Sequence, residues 1–379
     1  MDTRDRIPGI EGMRAIAACA IALFHSTTLV KSGIPTGLSR PLVSGVTLFF
    51  VLSGFLLYRP LAARILDGRA PASIRSFYVR RARRIFPAYW AVLAAIVALG
   101  LAVQSRSLTG IPTIALDASL LHGFIPATIG TGLQPAWSLS AELGFYLVLP
   151  LLALFAATLA RSGRISRDRA IWIAPAALFA VALATRALDQ LVVPGPDRCF
   201  HQSMHCVLDR GTFANGDLFA FGMALAALDV VRGRGSLRAV EARLRPLAPL
   251  LVLATPAIVV LTYSRLDSTL YDPLCALLFS GCLAITVWGW VPRLTGLLES
   301  RPLRGLGAIS YSIFLWNLPV LLILLATGAI TDHSTIRTIG ALIAIGGPIA
   351  CASYRYLERP LMAPRRSRTP APAALVEGA

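Results

Sequence analysis

Apolar residues in this chain gather in runs of about 18 to 22, long enough to cross a bilayer as helices, with short polar loops between them. The runs place spans near 9–30, 42–59, 86–103, 139–160, 170–188, 213–230, 247–263, 272–291, 307–328 and 336–354. No sequence period repeats, and no second soluble domain interrupts the series. The pattern predicts an all-α polytopic membrane protein of about ten transmembrane helices. Its membrane domain covers residues 1–362, and a Pro-, Ala- and Arg-rich cytosolic tail over 363–379 is expected to be disordered.

Composition agrees with that class. Of 379 residues, 56% are hydrophobic and 15% charged, too apolar for a soluble globule. The net charge of +17 raises the question of nucleic acid, but the distribution of the charge answers it. With the N-terminus in the cytosol, 27 of the 36 basic residues fall in cytosolic segments and seven in outer loops. This is the positive-inside asymmetry of a multi-pass protein of the plasma (inner) membrane, with both termini cytosolic. Residues 111–125 are moderately apolar, yet counting them as a span would put every later Arg-rich loop outside. We therefore read 104–138 as an outer excursion holding a short non-spanning segment. No cleaved signal peptide fits the start, because Glu11, Arg14 and His25 interrupt its apolar stretch. Cys199 and Cys206 share an outer loop with His201 and His205; a disulfide, a zinc site and neither all remain open.

Chemistry concentrates in four places. In the first span, Arg14 and His25 are eleven residues apart, which puts them on one helix face about 16 Å apart along the axis. Ionisable groups in hydrocarbon are costly and mark functional sites. In the second span, Ser53-Gly54 opens a small-residue gap in a bulky helix, where another backbone or a slim ligand can approach closely. At the start of the third, Arg80, Arg81, Arg83 and Arg84 crowd the cytosolic edge; Arg81 and Arg84 share a face, as a phosphate-binding pair or an anchor at anionic lipid would. In the fourth, Glu142 and Tyr146 stack four residues apart, close behind Trp137. Glu142 and His25 fall at similar depth, and a carboxylate beside an imidazole is the arrangement of a general base.

Taken together, Arg14-x10-His25, Leu48-Phe-Phe-Val-Leu-Ser53-Gly54-Phe, Arg81-x2-Arg84-Ile-x-Pro87-x-Tyr89 and Trp137-Ser-Leu-x2-Glu142-x2-Phe145-Tyr146 resemble acyltransferase family 3. These are membrane O-acyltransferases of the O-antigen and Nod-factor acetylase type, and the likeness covers nearly the whole membrane region. The resemblance implies transfer of an acetyl or other short acyl group from cytosolic acyl-CoA to a hydroxyl of a carbohydrate, glycolipid or glycosylated metabolite. It implies His25 as the catalytic residue, either as general base or as a carrier that takes the acyl group first; Glu142 is expected beside it from its depth, and no metal is expected. Arg14, Ser53, Gly54, Arg80, Arg81 and Arg84 would lie on the donor side; Trp137, Tyr146 and Asn317 would face the acceptor. One departure stands out: after Ser310-Tyr311 the family often has Trp-His, whereas this chain has Trp316-Asn317, and Asn cannot titrate. A transporter or flippase is the rival reading. It would use the buried His, Glu and Arg for substrate or protons, but no paired Gly/Pro interruptions of an inverted repeat are found.

Overall fold

A computed structural model describes residues 6–30, 34–102, 111–192, 203–330 and 334–362, and every regular element among them is helical. Nine long helices are α1 (Ile10–Leu29), α2 (Gly45–Leu66), α3 (Ile74–Ala102), α4 (Trp137–Arg161), α5 (Ile173–Val192), α6 (Gly216–Arg232), α7 (Ala248–Tyr263), α8 (Ser268–Val287) and α9 (Ser310–Ala326). A final helical run, α10, covers Thr335–Met362 and contains two π-helical turns, Leu342–Gly346 and Tyr354–Glu358.

Among the described residues, eight helices are long and apolar enough to cross a membrane. A ninth candidate is broken: Arg301–Ala308 and α9 meet at Ile309 with a bend of 69°. The run read over 213–230 is α6, 17 residues long. Each of the ten runs thus holds a helix. Within the segment 104–138, the described residues ahead of α4 hold the helix Ile111–Ala118, eight residues long and far below a bilayer's thickness. The disulfide considered for Cys199 involves a residue outside those described, as does the zinc alternative through His201.

The helices differ in what covers them. Two thirds (67%) of the most apolar window of α2 is buried against protein, but only 17% of α7's, so α2 is central and α7 keeps most of its apolar surface outward, as lipid contact requires. Close backbone contact sets α2 in place. A Cβ on Gly54 would stand 2.1 Å from the Phe219 carbonyl oxygen of α6, and one on Gly222 of α6 would stand 2.0 Å from the Val51 carbonyl oxygen of α2. The two glycines interlock reciprocally, the small-residue packing that joins helices where lipid supplies no hydrophobic drive. Glycines seat α1 as well: Gly45 of α2 lies on Ala17 and Ile21, and Gly307 of the Arg301–Ala308 segment lies on Glu11. The start of α1 is tied down by Glu299, which accepts from the Gly9 amide at 2.6 Å and from Arg6 at 2.7 Å.

Charge within the bundle is paired. Arg186 of α5 holds Asp217 of α6 through two bonds of 2.7 and 2.9 Å, which removes the cost of either group alone. In the outer excursion Tyr89 and Trp90 of α3 donate to the Asp117 and Ala118 carbonyls at 2.8 and 2.9 Å, docking the short helix on α3. The Asp117 carboxylate accepts from Thr131 at 3.1 Å and faces the His122 ring, whose Nδ1 is 3.5 Å away.

Two predictions follow from these contacts. Gly54→Leu should lower the unfolding free energy in detergent by about 1–3 kcal/mol or more, because a backbone carbonyl cannot move aside. Gly296→Ala, with nothing within 4 Å of its added methyl, should stay within about 0.5 kcal/mol of wild type. The second concerns pH. Burial raises the Asp117 carboxyl to about 6 and lowers the His122 imidazole to about 4. Asp117 binds its proton more tightly when folded, so acidification through pH 6 stabilises; His122 resists its proton when folded, so acidification below its ordinary 6.5 destabilises. The two slopes largely cancel in wild type. Asp117→Asn leaves the His122 slope alone, so relative to wild type its midpoint should fall between pH 7 and 5. His122→Gln should move the other way.

Candidate active site

A cavity of about 270 Å³ opens between α1, α2, α3, α4 and α9. Arg14 of α1, Ser53 of α2, Arg81 and Arg84 of α3, Glu142 and Tyr146 of α4, and Tyr311 of α9 all line it. The helical spacing explains the set. Arg81 and Arg84 are three apart on α3, Glu142 and Tyr146 four apart on α4, so each pair presents to one side.

The carboxylate of Glu142 is well held. It accepts from the Ser53 hydroxyl at 2.6 Å and from the Tyr146 hydroxyl one turn along its own helix. Arg81 lies over the Tyr146 ring, 5.8 Å from its centroid, and Tyr311 donates to the Ile85 carbonyl at 2.9 Å, tying α9 to α3. Next to these groups in α9, Ser312 donates its hydroxyl to Glu358, carried by the π-helical turn Tyr354–Glu358 of α10. Among the described residues, Arg14, Arg81 and Arg84 form no ion pair. Three guanidinium groups therefore converge on one cavity without a direct carboxylate partner.

His25 is placed differently from expectation. Its Nδ1 lies 2.5 Å from the Asn317 carboxamide oxygen of α9, and Glu142 is bound elsewhere, to Ser53 and Tyr146. Equal depth along two helices does not bring residues together across a bundle; α9 packs on α1 where His25 projects, and α2 faces Glu142. Arg14 lines the cavity and His25 does not, though they share a helix face. Gly45 seats against Ala17 and Ile21, so Val46 at the rim of the cavity lies about one turn short of His25.

The Asn317 contact fixes the state of the ring. Its carboxamide nitrogen donates to the Ile313 carbonyl at 3.0 Å and to the Phe314 carbonyl at 2.6 Å. Both donors are spent on its own helix, so the oxygen facing His25 accepts, and Nδ1 of the neutral imidazole carries the proton. Nε2 is left with a lone pair and makes no hydrogen bond among the described residues. A half-buried imidazole with a fixed Nδ1–H and a free Nε2 has the form of a general base or nucleophile.

Other expected site residues fall in several places. Ser53 lines the cavity, whereas Gly54 does not: the gap it opens is filled by the α6 backbone, not by a ligand. Arg80 is exposed and does not line the cavity, although it precedes Arg84 by one turn of α3. Tyr146 is buried and lines the arginine cavity, with Arg81 on its ring and Glu142 on its hydroxyl. Asn317 is likewise buried, with its carboxamide engaged by His25 and by two carbonyls of its own helix. Trp137 lies just outside this cavity and faces a neighbouring one. Sequence reasoning missed Tyr311 as a lining residue and Asp217 as the partner of Arg186. Tyr311 sits beside the noted Trp316-Asn317 motif, but nothing in the sequence marked its direction.

Fold and site together define a multi-pass helical membrane protein whose central cavity joins cationic side chains to a carboxylate, beside a histidine with one free nitrogen. The acyltransferase domain family matches residues 7–354, and the chain belongs to that family, acyltransferase family 3. It is 25% identical to the peptidoglycan O-acetyltransferase OatA of Listeria monocytogenes, over 95% of this chain and 56% of that protein. It is 26% identical to the putative peptidoglycan O-acetyltransferase YrhL of Bacillus subtilis, over 94% of this chain and 55% of that one. The exopolysaccharide production protein ExoZ of Rhizobium meliloti is 28% identical over 91% of this chain and 96% of its own length. The chain thus spans about half the length of the two peptidoglycan relatives. No solved structure matches it.

The tautomer is directly testable. With ¹⁵N-labelled histidine, wild type should show His25 as the Nδ1–H form at neutral pH. Asn317→Leu should release that form to a mixture, and an unchanged spectrum would refute the assignment.

Proposed function

We propose that this chain is a membrane O-acyltransferase that moves an acetyl or other short acyl group from cytosolic acyl-CoA to a hydroxyl of a cell-envelope glycan. The observation that carries this reading is the trio of guanidinium groups around one cavity with no ion-pair partner. Cations withdrawn from water call for anions, and the phosphates of coenzyme A supply them in a form that arginine binds through paired hydrogen bonds. Arg81 and Arg84 hold the phosphates at the inner end. The pantetheine arm then runs outward past Arg14 and Glu142, covering the roughly 16 Å that separates Arg14 from His25.

In the reaction, His25 Nε2 takes the proton of the acceptor hydroxyl as its oxygen attacks the thioester carbonyl. The carbon–sulfur bond breaks, the ester forms, and the coenzyme A thiolate leaves and takes up a proton. Asn317 holds the imidazole in the tautomer this requires, a positioning role that needs no titration. Glu142, fixed by Ser53 and Tyr146, is a localised negative charge that balances the arginines and keeps the arm's channel polar. The glycan acceptor is inferred from the relatives' names, two of them peptidoglycan O-acetyltransferases and one an exopolysaccharide production protein.

Purified protein in detergent should turn over acetyl-CoA. His25→Ala should lose about 10²–10⁴-fold in rate while still binding CoA. Arg81→Ala and Arg84→Ala should each weaken CoA binding by about tenfold or more. Full activity in the His25 variant, or CoA affinity indifferent to both arginines, would overturn the reading.

A further inference from the structure

A second cavity of about 150 Å³ lies beside the first. Val46 and Phe50 of α2 line both, and at the start of α4 Trp137 faces the second while Ser138 faces the first. The second cavity sits among the opening turns of α2, α4, α6 and α8 and beside the short helix Met204–Arg210. That is the end of those helices which the arginine distribution assigns to the outer side.

Its polar groups come from five separate places in the chain. Asn215, 7% exposed, donates its carboxamide nitrogen to the Asp209 and Gly211 carbonyls, both at 3.0 Å, so its oxygen is left without a partner among the described residues. Asp272 stands beside Thr47, and Asp209 lies in the field of Arg210. Arg210 in turn lies over the Trp137 ring, 5.6 Å from its centroid.

The mixture narrows what fits. An anion would meet two carboxylates. A metal cation would meet Arg210, and among the described residues no group of three or more His, Cys, Asp or Glu side chains gathers to hold one. An apolar guest would strip water from every polar group in the lining. A neutral polyol suits all of them: each hydroxyl donates to a carboxylate or carboxamide oxygen and accepts from a guanidinium or threonine. At this volume the cavity takes one ring and not a polymer.

We infer that this outer cavity is a carbohydrate subsite: Asp209, Asn215, Asp272, Thr47 and Arg210 bind one neutral sugar ring of the acceptor, and a hydroxyl further along the glycan reaches the donor cavity. This rests on the acyl-transfer reading and adds to it where the acceptor is gripped, and by which groups.

The test uses the full chain in detergent with acetyl-CoA as donor. Soluble oligomers of N-acetylglucosamine, glucose and galactose serve as acceptors, and 1-butanol as an alcohol with nothing for the subsite to grip. At least one saccharide should raise CoA release above hydrolysis at a concentration where butanol does not. Asp272→Asn, close to isosteric, should then raise the KM for that saccharide at least tenfold and leave the KM for acetyl-CoA within twofold. Asn215→Leu should do the same, with a melting curve to show that it is folded. A saccharide KM unchanged in both variants would overturn the subsite, and so would butanol serving as well as every sugar. Equal damage to both KM values would overturn it too, since that marks a structural role. A wild-type protein that neither binds nor turns over acetyl-CoA would instead overturn the acyl-transfer reading, and the subsite with it.

Discussion

The structure depends on one constraint: a polar group taken into the bilayer must find its partner within the protein. Most do. Arg186 is closed on Asp217, Glu142 on Ser53 and Tyr146, Glu358 on Ser312, and His25 on Asn317. Against that background of pairing, a few groups stand apart: among the described residues Arg14, Arg81 and Arg84 share a cavity without an ion-pair partner, and Nε2 of His25 makes no hydrogen bond. The proposed function is built on these groups.

Holding such groups in place requires rigid helices at short spacing, and lipid supplies no hydrophobic force to press helices together. Glycine substitutes for it. The reciprocal contact of Gly54 and Gly222 brings α2 and α6 to backbone distance, and Gly45 and Gly307 do the same for α1. These contacts fix the helices that carry Arg14, Ser53 and His25, so the cavity's geometry follows from positions that touch no substrate. Ser53 and Gly54 divide the work: adjacent in sequence, one faces the carboxylate and the other the neighbouring backbone.

Much of this was legible in the chain itself. Runs of apolar residues marked every long helix, because a bilayer demands both length and continuity, and the arginine count kept 104–138 from being read as a span. The residues of the cavity were legible in part. Arg14, Arg81, Arg84, Ser53, Glu142 and Tyr146 stand out as polar groups in apolar helices, and a period of 3.6 shows which of them share a face. Periodicity says nothing of which face of which neighbour lies opposite. That is why Glu142 was set beside His25, and why nothing in the sequence told that Gly54 meets a backbone or that Trp137 faces a neighbouring cavity.

Asn317 shows the division most clearly. From sequence it is a residue that cannot titrate where an ionisable one is common; its geometry makes it the group that sets which nitrogen of His25 holds the proton. The sequence by itself determined what is local: where the long helices run and which side chains share a face. Pairing across the bundle is a property of lateral packing, set by where small residues let backbones meet, and that was decided only by the tertiary structure. It alone gave Glu142 to Ser53 and His25 to Asn317, left three arginines facing one cavity, and placed a second, hydroxyl-friendly cavity against its wall.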